Sequence, residues 1–417
     1  MAGQRELQRL MTAAWLRTPA IRRVFEALAT TGAQSRAVGG AVRNTLLGEP
    51  VDDIDIATAA KPDAVLAAAV VAGLKAIATG IKHGTITLIA DGASFEITTL
   101  RRDVETDGRH AVVDFTDDWT VDAGRRDFTI NALYCDADGT LFDPLGGSGD
   151  LDPPRIRFIG CARARIREDY LRILRFFRFS ARYGTGAIDR AGLEACAAER
   201  HGLAQVSTER VRVELLKLLA APRASDVCRI MQAYGFLVSL VGAAPAPSRL
   251  QRLIELEAAT GRAADPILRL AALTLSPCGD ATALAKRLRL SGDERARLRT
   301  IATAWASVLA LDNEADVRGC LYRLGVGGFR DTLLMAWAGG TAAITDPAWT
   351  RRLATADSWQ PPILPVDGRD AQALGIAPGP QVGVMLKEVE AWWVAADFMP
   401  DRAACLIELS RQAHLSA

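Results

Sequence analysis

The chain has 417 residues, of which 49% are hydrophobic and 24% are charged, a composition that is typical of a folded protein and excludes a chain that is disordered throughout. The formal net charge is +1, so the molecule as a whole does not attract nucleic acid, and any such binding would need a local basic patch. The length favours two or three domains.

The first 145 residues alternate between helical and strand patterns. A helix is predicted to begin after Thr18, which can cap it, and to end at Gly32. Polar and apolar residues alternate around Asp91 and Gly92, which predicts a hairpin. The other predicted elements are a strand at 35–40, a helix at 41–48, a strand at 51–58, a helix at 61–73, and a helix end with a second hairpin at 127–144.

The turn-rich stretch GGSGDLDPP at 146–154 marks a boundary. Almost no strand pattern follows it, and helical periodicity dominates from residue 155 to the C-terminus. A helix is predicted over 163–184, and GAAPAPS at 242–248 is predicted to be a linker.

Gly39 and Gly40 lie where a predicted strand ends and a helix begins. Such a turn leaves backbone N–H groups free at a helix N-terminus, where an anion can approach closely. Arg43 lies in the first turn of that helix and adds positive charge. A glycine pair taken alone is more often a plain turn.

Asp53 and Asp55 follow the glycine turn. On a strand, alternate residues share a face, so both carboxylates would point the same way and suit a hard divalent cation such as Mg²⁺. Asp52 would point the other way. Glu96, between Phe95 and Ile97 on another predicted strand, is a candidate third acid; the alternative is an ordinary exposed strand glutamate.

The stretch GGAVRNTLLG followed by DDIDIAT (39–58) resembles the first motif of the nucleotidyltransferase branch that contains CCA-adding tRNA nucleotidyltransferases and bacterial poly(A) polymerases. Four later stretches resemble motifs of this branch, in the same order: RRDFTINAL (125–133), REDYLRILRFFRF (167–179), STERVRVELLKLL (207–219) and DGRDAQALGIAPGPQVGVMLKEVEAWW (367–393). One departure is Asn44, where the family usually has Asp.

The resemblance to the bacterial CCA-adding enzymes implies an α+β fold. A mixed α/β catalytic head at 1–145 would precede a helical neck at 150–225 that selects the base. A helical body and tail at 226–417 would bind tRNA. The implied partners are the tRNA 3′ end, CTP and ATP, with no membrane and no DNA.

The implied reaction is attack of an RNA 3′-hydroxyl on the α-phosphate of CTP or ATP, with release of pyrophosphate. Two Mg²⁺ ions would be held by Asp53 and Asp55. Asp127 is expected to orient its neighbour Arg126. The residues expected to contact the triphosphate side of the nucleotide are Gly39, Gly40, Arg43 and Arg126.

Asp169 and Arg172 would select the base. Three residues apart on the predicted helix, they would share a face, and they could accept from the amino group and donate to the ring nitrogen that C and A both present. A surface salt bridge between them is the alternative. Arg175 would lie beside Arg172. Arg178 resembles the last binding arginine of the motif, but nine residues from Asp169 is about two and a half turns, which predicts the opposite side of a straight helix.

The segment 105–115 is predicted to be a mobile loop, in the region of the family's flexible loop. Its GRHAVV differs from the more basic stretch of the poly(A) polymerases, which favours CCA addition. The alternatives are a bacterial poly(A) polymerase, an enzyme that adds only CC or only A, and a catalytically inactive RNA-binding protein with this fold.

The seven cysteines include no C-x-x-C spacing, which argues for a reducing compartment and against a structural zinc site. There is no run of about 18 apolar residues and the N-terminal segment is polar, so we expect neither a membrane span nor a signal peptide. These features predict a cytoplasmic protein.

Overall fold

The computed structural model describes residues 3–107, 110–242, 244–276 and 279–416. It divides the chain into two compact units, Met1–Phe236 and Leu237–Ala417. The expected α+β class is confirmed. The finer division into head, neck, body and tail stays a prediction.

The first unit contains, within its described residues, a seven-stranded sheet and a separate two-stranded ribbon. The sheet order is β3-β4-β5-β2-β1-β8-β9, and the ribbon pairs β6 with β7. Only the central β2–β5 pair is parallel in the registers described. The strands are β1 (Ser35–Val38), β2 (Asp55–Thr58), β3 (Lys75–Gly80), β4 (Thr85–Ala90), β5 (Ala93–Thr99), β6 (Arg101–Asp107), β7 (His110–Phe115), β8 (Tyr134–Cys135) and β9 (Leu141–Phe142).

Helices precede, interrupt and follow the sheet. Those of the first unit are α1 (Gln4–Met11), α2 (Pro19–Ala29), α3 (Gly40–Leu47), α4 (Pro62–Val71), α5 (Trp119–Gly124), α6 (Ala162–Glu168), α7 (Leu171–Arg182), α8 (Arg190–Ala198), α9 (Thr208–Leu219) and α10 (Ala224–Ala233). At the unit boundary lies α11 (Phe236–Val241). The second unit has α12 (Pro247–Ala259), α13 (Pro266–Thr274), α14 (Ala281–Arg287), α15 (Gly292–Leu309), α16 (Glu314–Gly339), α17 (Pro347–Ser358), α18 (Gly368–Ala373), α19 (Pro380–Ala395) and α20 (Arg402–Ser416).

The local signals for α2 and for the first hairpin are confirmed. The hydroxyl of Thr18 accepts a hydrogen bond from the backbone N–H of Ile21 at the start of α2. Between β4 and β5, Asp91 and Gly92 both have positive φ, 51° and 81°, as a two-residue hairpin turn that follows the twist of its strands requires.

Apolar side chains cover both faces of the sheet. Ile56 of β2 belongs to a core cluster with Ile21 of α2 and Val65 of α4. Its neighbour Ala57 belongs to a second cluster with Trp119 of α5. Because successive strand residues point to opposite faces, the two clusters hold the sheet between layers and leave the strand ends free to form a site.

Two predictions for the strands and loops of this unit are wrong. The strand predicted over 51–58 begins only at Asp55, because its antiparallel neighbour β1 ends at Val38, opposite Asp55. The segment predicted as a mobile loop at 105–115 forms parts of β6 and β7, which pair from Arg101 and Phe115 to Asp107 and His110. Residues 108 and 109 of that segment lie outside the described residues.

The second unit is helical throughout the ranges described. Its longest helix, α16, is interrupted at Gly325, whose φ of 69° and ψ of 165° are not helical. A cluster that includes Val366, Met385, Val389 and Trp393 packs its C-terminal helices together. No described helix has the length and apolar character needed to cross a membrane.

Candidate active site

A cleft of about 620 Å³ lies in the first unit, at the turns that leave β1 and precede β2 and beside α7 and α9. It contains every predicted site residue except Glu96: Gly39, Gly40, Arg43, Asp53, Asp55, Arg126, Asp169, Arg172, Arg175 and Arg178. Residues from three separate sequence motifs are therefore brought together in one place.

A larger cavity, of about 760 Å³, lies in the second unit. Its charged side chains are engaged in ion pairs. Arg297, for example, pairs with Asp265 at 2.7 Å and with Asp331 at 2.5 Å. We assign the chemistry to the smaller cleft because that is where the predicted nucleotide-binding residues converge.

Gly39 forms the turn between β1 and α3 as predicted. Its φ of 70° is in the region that favours glycine. Its N–H donates to the carbonyl of Leu133 at 3.0 Å, and its carbonyl accepts from the N–H of Arg43 at 2.9 Å. Gly40 is the first residue of α3, so the start of this helix faces the cleft.

Arg43 is buried in the cleft wall, with 6% of its surface exposed. Its Nη2 donates to the hydroxyl of Tyr183 at 2.8 Å, and its guanidinium lies 4.3 Å from the centre of that ring. It also donates to the side-chain oxygens of Asn44 and Asn131. Burial lowers the pKa of Arg43 from its ordinary value, although Tyr183 opposes this.

Asp53 and Asp55 both line the cleft, although Asp53 precedes the strand and the alternation argument does not apply to it. Neither carboxylate has a hydrogen-bond or ion-pair partner within the ranges that the structure describes. Loss of surrounding water raises the pKa of Asp55, Glu96 and Asp53 raise it further, and Arg126 opposes them. Two acids are thus held close together without a cation of their own.

Glu96 is an exposed residue of β5, opposite Asp55 in the parallel register of β2 and β5. It does not line the cleft. No group of three Asp, Glu, His or Cys side chains that could hold a metal occurs among the described residues. A catalytic role for Glu96 stays a prediction.

Arg126 is held by Asp122 and Tyr134, not by Asp127, so the expectation about Asp127 is wrong. Its Nη2 lies 3.1 Å from Asp122 Oδ2, which also accepts from the Tyr134 hydroxyl at 2.8 Å. Burial alone would raise the pKa of Asp122, but Arg126 and Arg125 outweigh it and lower that pKa below its ordinary value. Asp122 was missed because it lies outside the quoted motif.

Asp122→Asn should lower the free energy of unfolding by about 3 kcal/mol at neutral pH, because two arginines then lose their buried counter-charge. The folded-state pKa of Asp122 is lowered, so this contribution is full above about pH 4, the unfolded value, and is lost as the pH falls through the folded value. Urea unfolding of both proteins from pH 7 downwards measures the difference. A difference that stays constant at acid pH would contradict this linkage.

The helix predicted over 163–184 is interrupted where the base-selecting motif begins. Asp169 lies between α6 and α7 with an extended backbone, φ −156° and ψ 105°. Its Oδ1 accepts from the N–H of Leu171 at 3.1 Å, and its carbonyl accepts from the N–H of Arg172 at 2.9 Å. Asp169 and Arg172 therefore do not share a helix face, although that was the reason for expecting them to lie close together. A side chain that accepts from the backbone N–H two residues later replaces a helical hydrogen bond and so favours a break in the helix.

Asp169 and Arg172 both line the cleft, but each pairs with another residue. Arg210 of α9 lies 2.6 Å from Asp169 Oδ2. Glu168 lies 2.6 Å from Arg172 Nη1, and Arg172 Nη2 donates to the carbonyl of Arg125 at 3.1 Å. The surface salt bridge between Asp169 and Arg172, which was the alternative interpretation, is therefore not formed. The sequence analysis did not predict Arg210 and Glu168 as partners of these side chains, although both lie within quoted motifs.

Arg175 and Arg178 lie on the same wall of the cleft. Arg175 Nε donates to Asp127 at 2.7 Å. Arg178 pairs with Glu214 at 2.5 Å and lies 4.3 Å from the ring centre of Phe179. Arg178 thus lines the cleft with the other predicted residues. The count of turns that placed it opposite Asp169 on a straight helix does not apply, because Asp169 is not in the helix.

Arg210→Met should loosen Asp169 and weaken base discrimination. Asp169 Oδ2 would lose its ionic partner, so we expect the preference for CTP over UTP to fall by about tenfold, the effect of one charge-assisted hydrogen bond. Competition between the two nucleotides for incorporation measures it, with Arg190→Met as the control, since the Arg190 side chain is 90% exposed and pairs with Glu194 outside the cleft. Unchanged discrimination in Arg210→Met would contradict the role.

The mixed sheet, the glycine turn and the two neighbouring carboxylates of Asp53 and Asp55 indicate a nucleotidyltransferase. Comparison with known families supports this class. The Poly A polymerase head domain matches residues 35–157, and the probable RNA- and SrmB-binding site of polymerase A matches residues 187–244. Over 395 residues the chain is 35% identical to CCA tRNA nucleotidyltransferase 1, mitochondrial, of Mus musculus, covering 92% of this chain and 88% of that protein. The chain belongs to the CCA tRNA nucleotidyltransferase, or CCA-adding enzyme, family.

Two further relatives extend the comparison. The CCA-adding enzyme of Geobacillus thermodenitrificans is 41% identical over 224 residues, covering 53% of this chain and 54% of that one. The crystal structure of the Bacillus stearothermophilus CCA-adding enzyme in complex with CTP superimposes with a TM-score of 0.76 at 27% identity, covering 96% of this chain and 99% of that chain.

Enzymes of this family need a divalent metal. The residues present fit one. Asp53 and Asp55 supply carboxylate oxygens, the ligands that hard cations prefer, and both lack a protein partner in the described parts of the chain, whereas Asp127 and Asp169 in the same cleft are paired with arginines.

Proposed function

We propose that this chain adds CCA to the 3′ end of tRNA, using CTP and ATP and releasing pyrophosphate, with Mg²⁺ held by Asp53 and Asp55. The observation that carries the proposal is that one cleft contains two sets of side chains. The first is Asp53 and Asp55, whose carboxylates have no partner among the described residues, and the second is Asp169 and Arg172. The first set suits transfer of a nucleotide, and the second can tell C and A from U and G.

The triphosphate side is formed by the turn after β1. Gly40 opens α3, and a backbone without a Cβ lets a phosphate approach the N–H groups there. Arg43 and Arg126 supply positive charge on either side of that turn. Asp122 and Tyr134 hold Arg126, so its guanidinium needs little reorganisation when nucleotide binds.

Asp53 and Asp55 would hold Mg²⁺. When bound, Mg²⁺ lowers the pKa of the attacking 3′-hydroxyl and stabilises the charge that develops on the leaving pyrophosphate. Burial raises the pKa of Asp55, and the neighbouring carboxylates of Glu96 and Asp53 raise it further against the effect of Arg126. A cation at this place would relieve a repulsion that the protein alone leaves in part uncompensated.

The base side is formed by Asp169 and Arg172. C and A each present an amino group, which a carboxylate accepts from, beside a ring nitrogen, which a guanidinium donates to. U and G present a carbonyl and an N–H instead, so both contacts become repulsive. A site with unmade buried hydrogen bonds rejects the wrong partner strongly, and it needs no nucleic-acid template to do so.

The relatives support this substrate assignment. The mitochondrial relatives of mouse, human and zebrafish are named CCA tRNA nucleotidyltransferases, and the Bacillus stearothermophilus enzyme was solved with CTP. We further propose that the helices after residue 150 bind the tRNA and that the protein acts in the cytoplasm.

Sequencing of product ends tests the function. The protein is incubated with Mg²⁺, CTP, ATP and a tRNA that lacks its 3′ CCA. We expect a single CCA on each product. A long A tail would assign polyadenylation instead, CC or A alone would assign a partial activity, and no extension would leave an inactive RNA-binding protein.

A further inference from the structure

Arg43 differs from the other arginines that line the cleft. Within the described ranges, it alone among them has no carboxylate partner. The others are paired as follows: Arg125 and Arg126 with Asp122, Arg172 with Glu168, Arg175 with Asp127, Arg178 with Glu214, and Arg210 with Asp169. A buried cation without a counter-charge is costly, and Arg43 is the buried one, with 6% of its surface exposed.

Neutral oxygens hold the Arg43 guanidinium on three sides. Asn44 Oδ1 accepts from Nε at 3.1 Å and from Nη2 at 2.8 Å. Asn131 Oδ1 accepts from Nη1, and the Tyr183 hydroxyl accepts from Nη2 at 2.8 Å. These contacts fix the direction of the guanidinium and leave its charge uncompensated.

The orientation of Asn44 is itself determined by its surroundings. Its Nδ2 donates to the carbonyl of Pro50 at 2.7 Å, so the amide oxygen must be the atom that faces Arg43. The Tyr183 hydroxyl lies 3.2 Å from the same oxygen. Asn44 is therefore a rigid acceptor rather than a flexible surface side chain.

Asp127 is an acid whose charge acts on Arg43, and its carboxylate is already engaged. Its Oδ2 pairs with Arg175, and its Oδ1 accepts from Asn131 Nδ2 at 2.9 Å. Asn131 thus lies between the two groups, because its Oδ1 accepts from Arg43 and its Nδ2 donates to the Asp127 carboxylate. The other charged group that acts on Arg43, Arg178, repels it.

We propose that Asn44 is a positioning residue that presents Arg43 to the nucleotide triphosphate with its charge unpaired. The inference rests on the proposed function, in which Arg43 meets the triphosphate. It also accounts for the departure from the family's first motif. The aspartate usual at this place would offer the same two acceptors, but it would neutralise the guanidinium that the amide only orients.

Binding of inorganic tripolyphosphate, measured by titration calorimetry, tests the proposal without tRNA or turnover. Asn44→Asp keeps the shape and adds the counter-charge, and Asn44→Leu keeps the size and removes the acceptor. We expect about tenfold weaker binding in each, the effect of one charge-assisted contact. The KM values for CTP and ATP should rise by the same factor, and the choice among the four nucleotides should not change.

Asn313→Asp is the matched control. It makes the same change in net charge at the N-cap of α16, where Asp caps as well as Asn does, so tripolyphosphate binding should stay at the wild-type value. Wild-type binding in Asn44→Asp or in Asn44→Leu would overturn the proposal. Thermal unfolding checks that each variant is folded. If Asn44→Leu does not fold, the result for the isosteric Asn44→Asp decides the test.

The two failures can be told apart. If the wild-type protein extends tRNA with CCA while both variants bind tripolyphosphate normally, only the role of Asn44 is wrong. If the wild-type protein does not extend tRNA but both variants bind tripolyphosphate more weakly, the proposed function is wrong and the positioning of Arg43 stands.

Discussion

Asp55→Asn should abolish nucleotide addition, with kcat falling by at least about a thousandfold, while the affinity for tRNA stays within about twofold of wild type. The amide has the shape of the carboxylate but cannot supply the negative charge that a divalent cation requires. Asp53→Asn should have the same effect, since both residues line the cleft and neither has a protein partner within the described ranges.

Asp52→Asn is the matched control for both variants. Asp52 is exposed, adjoins Asp53 in sequence and does not line the cleft, so it should keep wild-type turnover. Single-turnover rates with saturating CTP, together with a filter-binding measurement of tRNA affinity, separate lost chemistry from lost binding. Wild-type turnover in Asp53→Asn or Asp55→Asn would refute the assignment of that carboxylate.

Arg172→Ala should relax base selection more than it weakens nucleotide binding. Arg172 is held by Glu168 and by the carbonyl of Arg125, so its guanidinium is presented in a fixed direction. Without it, the donor that meets the ring nitrogen of C and A is missing. We expect the preference for CTP over UTP to fall by about a hundredfold, since a hydrogen-bonding site that rejects the wrong partner loses one of its two contacts.

The expected signature is a split between two quantities. Incorporation of UTP relative to CTP should rise, whereas tripolyphosphate binding, which reports on the Arg43 side of the cleft, should change little. Arg190→Ala removes an exposed arginine that pairs with Glu194 and does not line the cleft, so it should alter neither quantity. Unchanged selectivity among the four nucleotides in Arg172→Ala would contradict the base-reading role.

Much of the first unit could be predicted because its signals are local. Thr18 caps α2 and Asp91-Gly92 turns the first hairpin through contacts with residues at most a few positions away. The strand at β3 and the ribbon of β6 and β7 were missed. Their pairing partners, and not an alternating pattern of their own, make them strands.

The members of the site could be predicted, but their partners could not. The motifs named the arginines, but several of the partners that hold cleft residues are distant in the chain and were found only in the structure: Asp169 and Arg210 are 41 residues apart, and Arg43 and Tyr183 are 140 residues apart. No periodicity connects residues at such distances in the chain. The break at Asp169 was also not predicted, because the residues on both sides of it have a helical pattern and only this one residue is extended.

Asn44 illustrates what the structure adds to a motif. In the sequence it is an unexplained departure from the family's usual aspartate. In the folded chain its amide oxygen accepts from two nitrogens of Arg43. Under our proposal, the exchange of aspartate for asparagine leaves the Arg43 charge available to the triphosphate.

The central claim is that one cleft adds both C and A, in order, and rejects U and G. Its most direct test supplies all four nucleotides at equal concentration to tRNAs that lack three, two or one nucleotides of the CCA end, with Mg²⁺, and sequences every product. The account predicts restoration of CCA in all three cases and then no further addition. Incorporation of U or G at a substantial fraction of ends, or continued addition of A beyond the completed CCA, would contradict it.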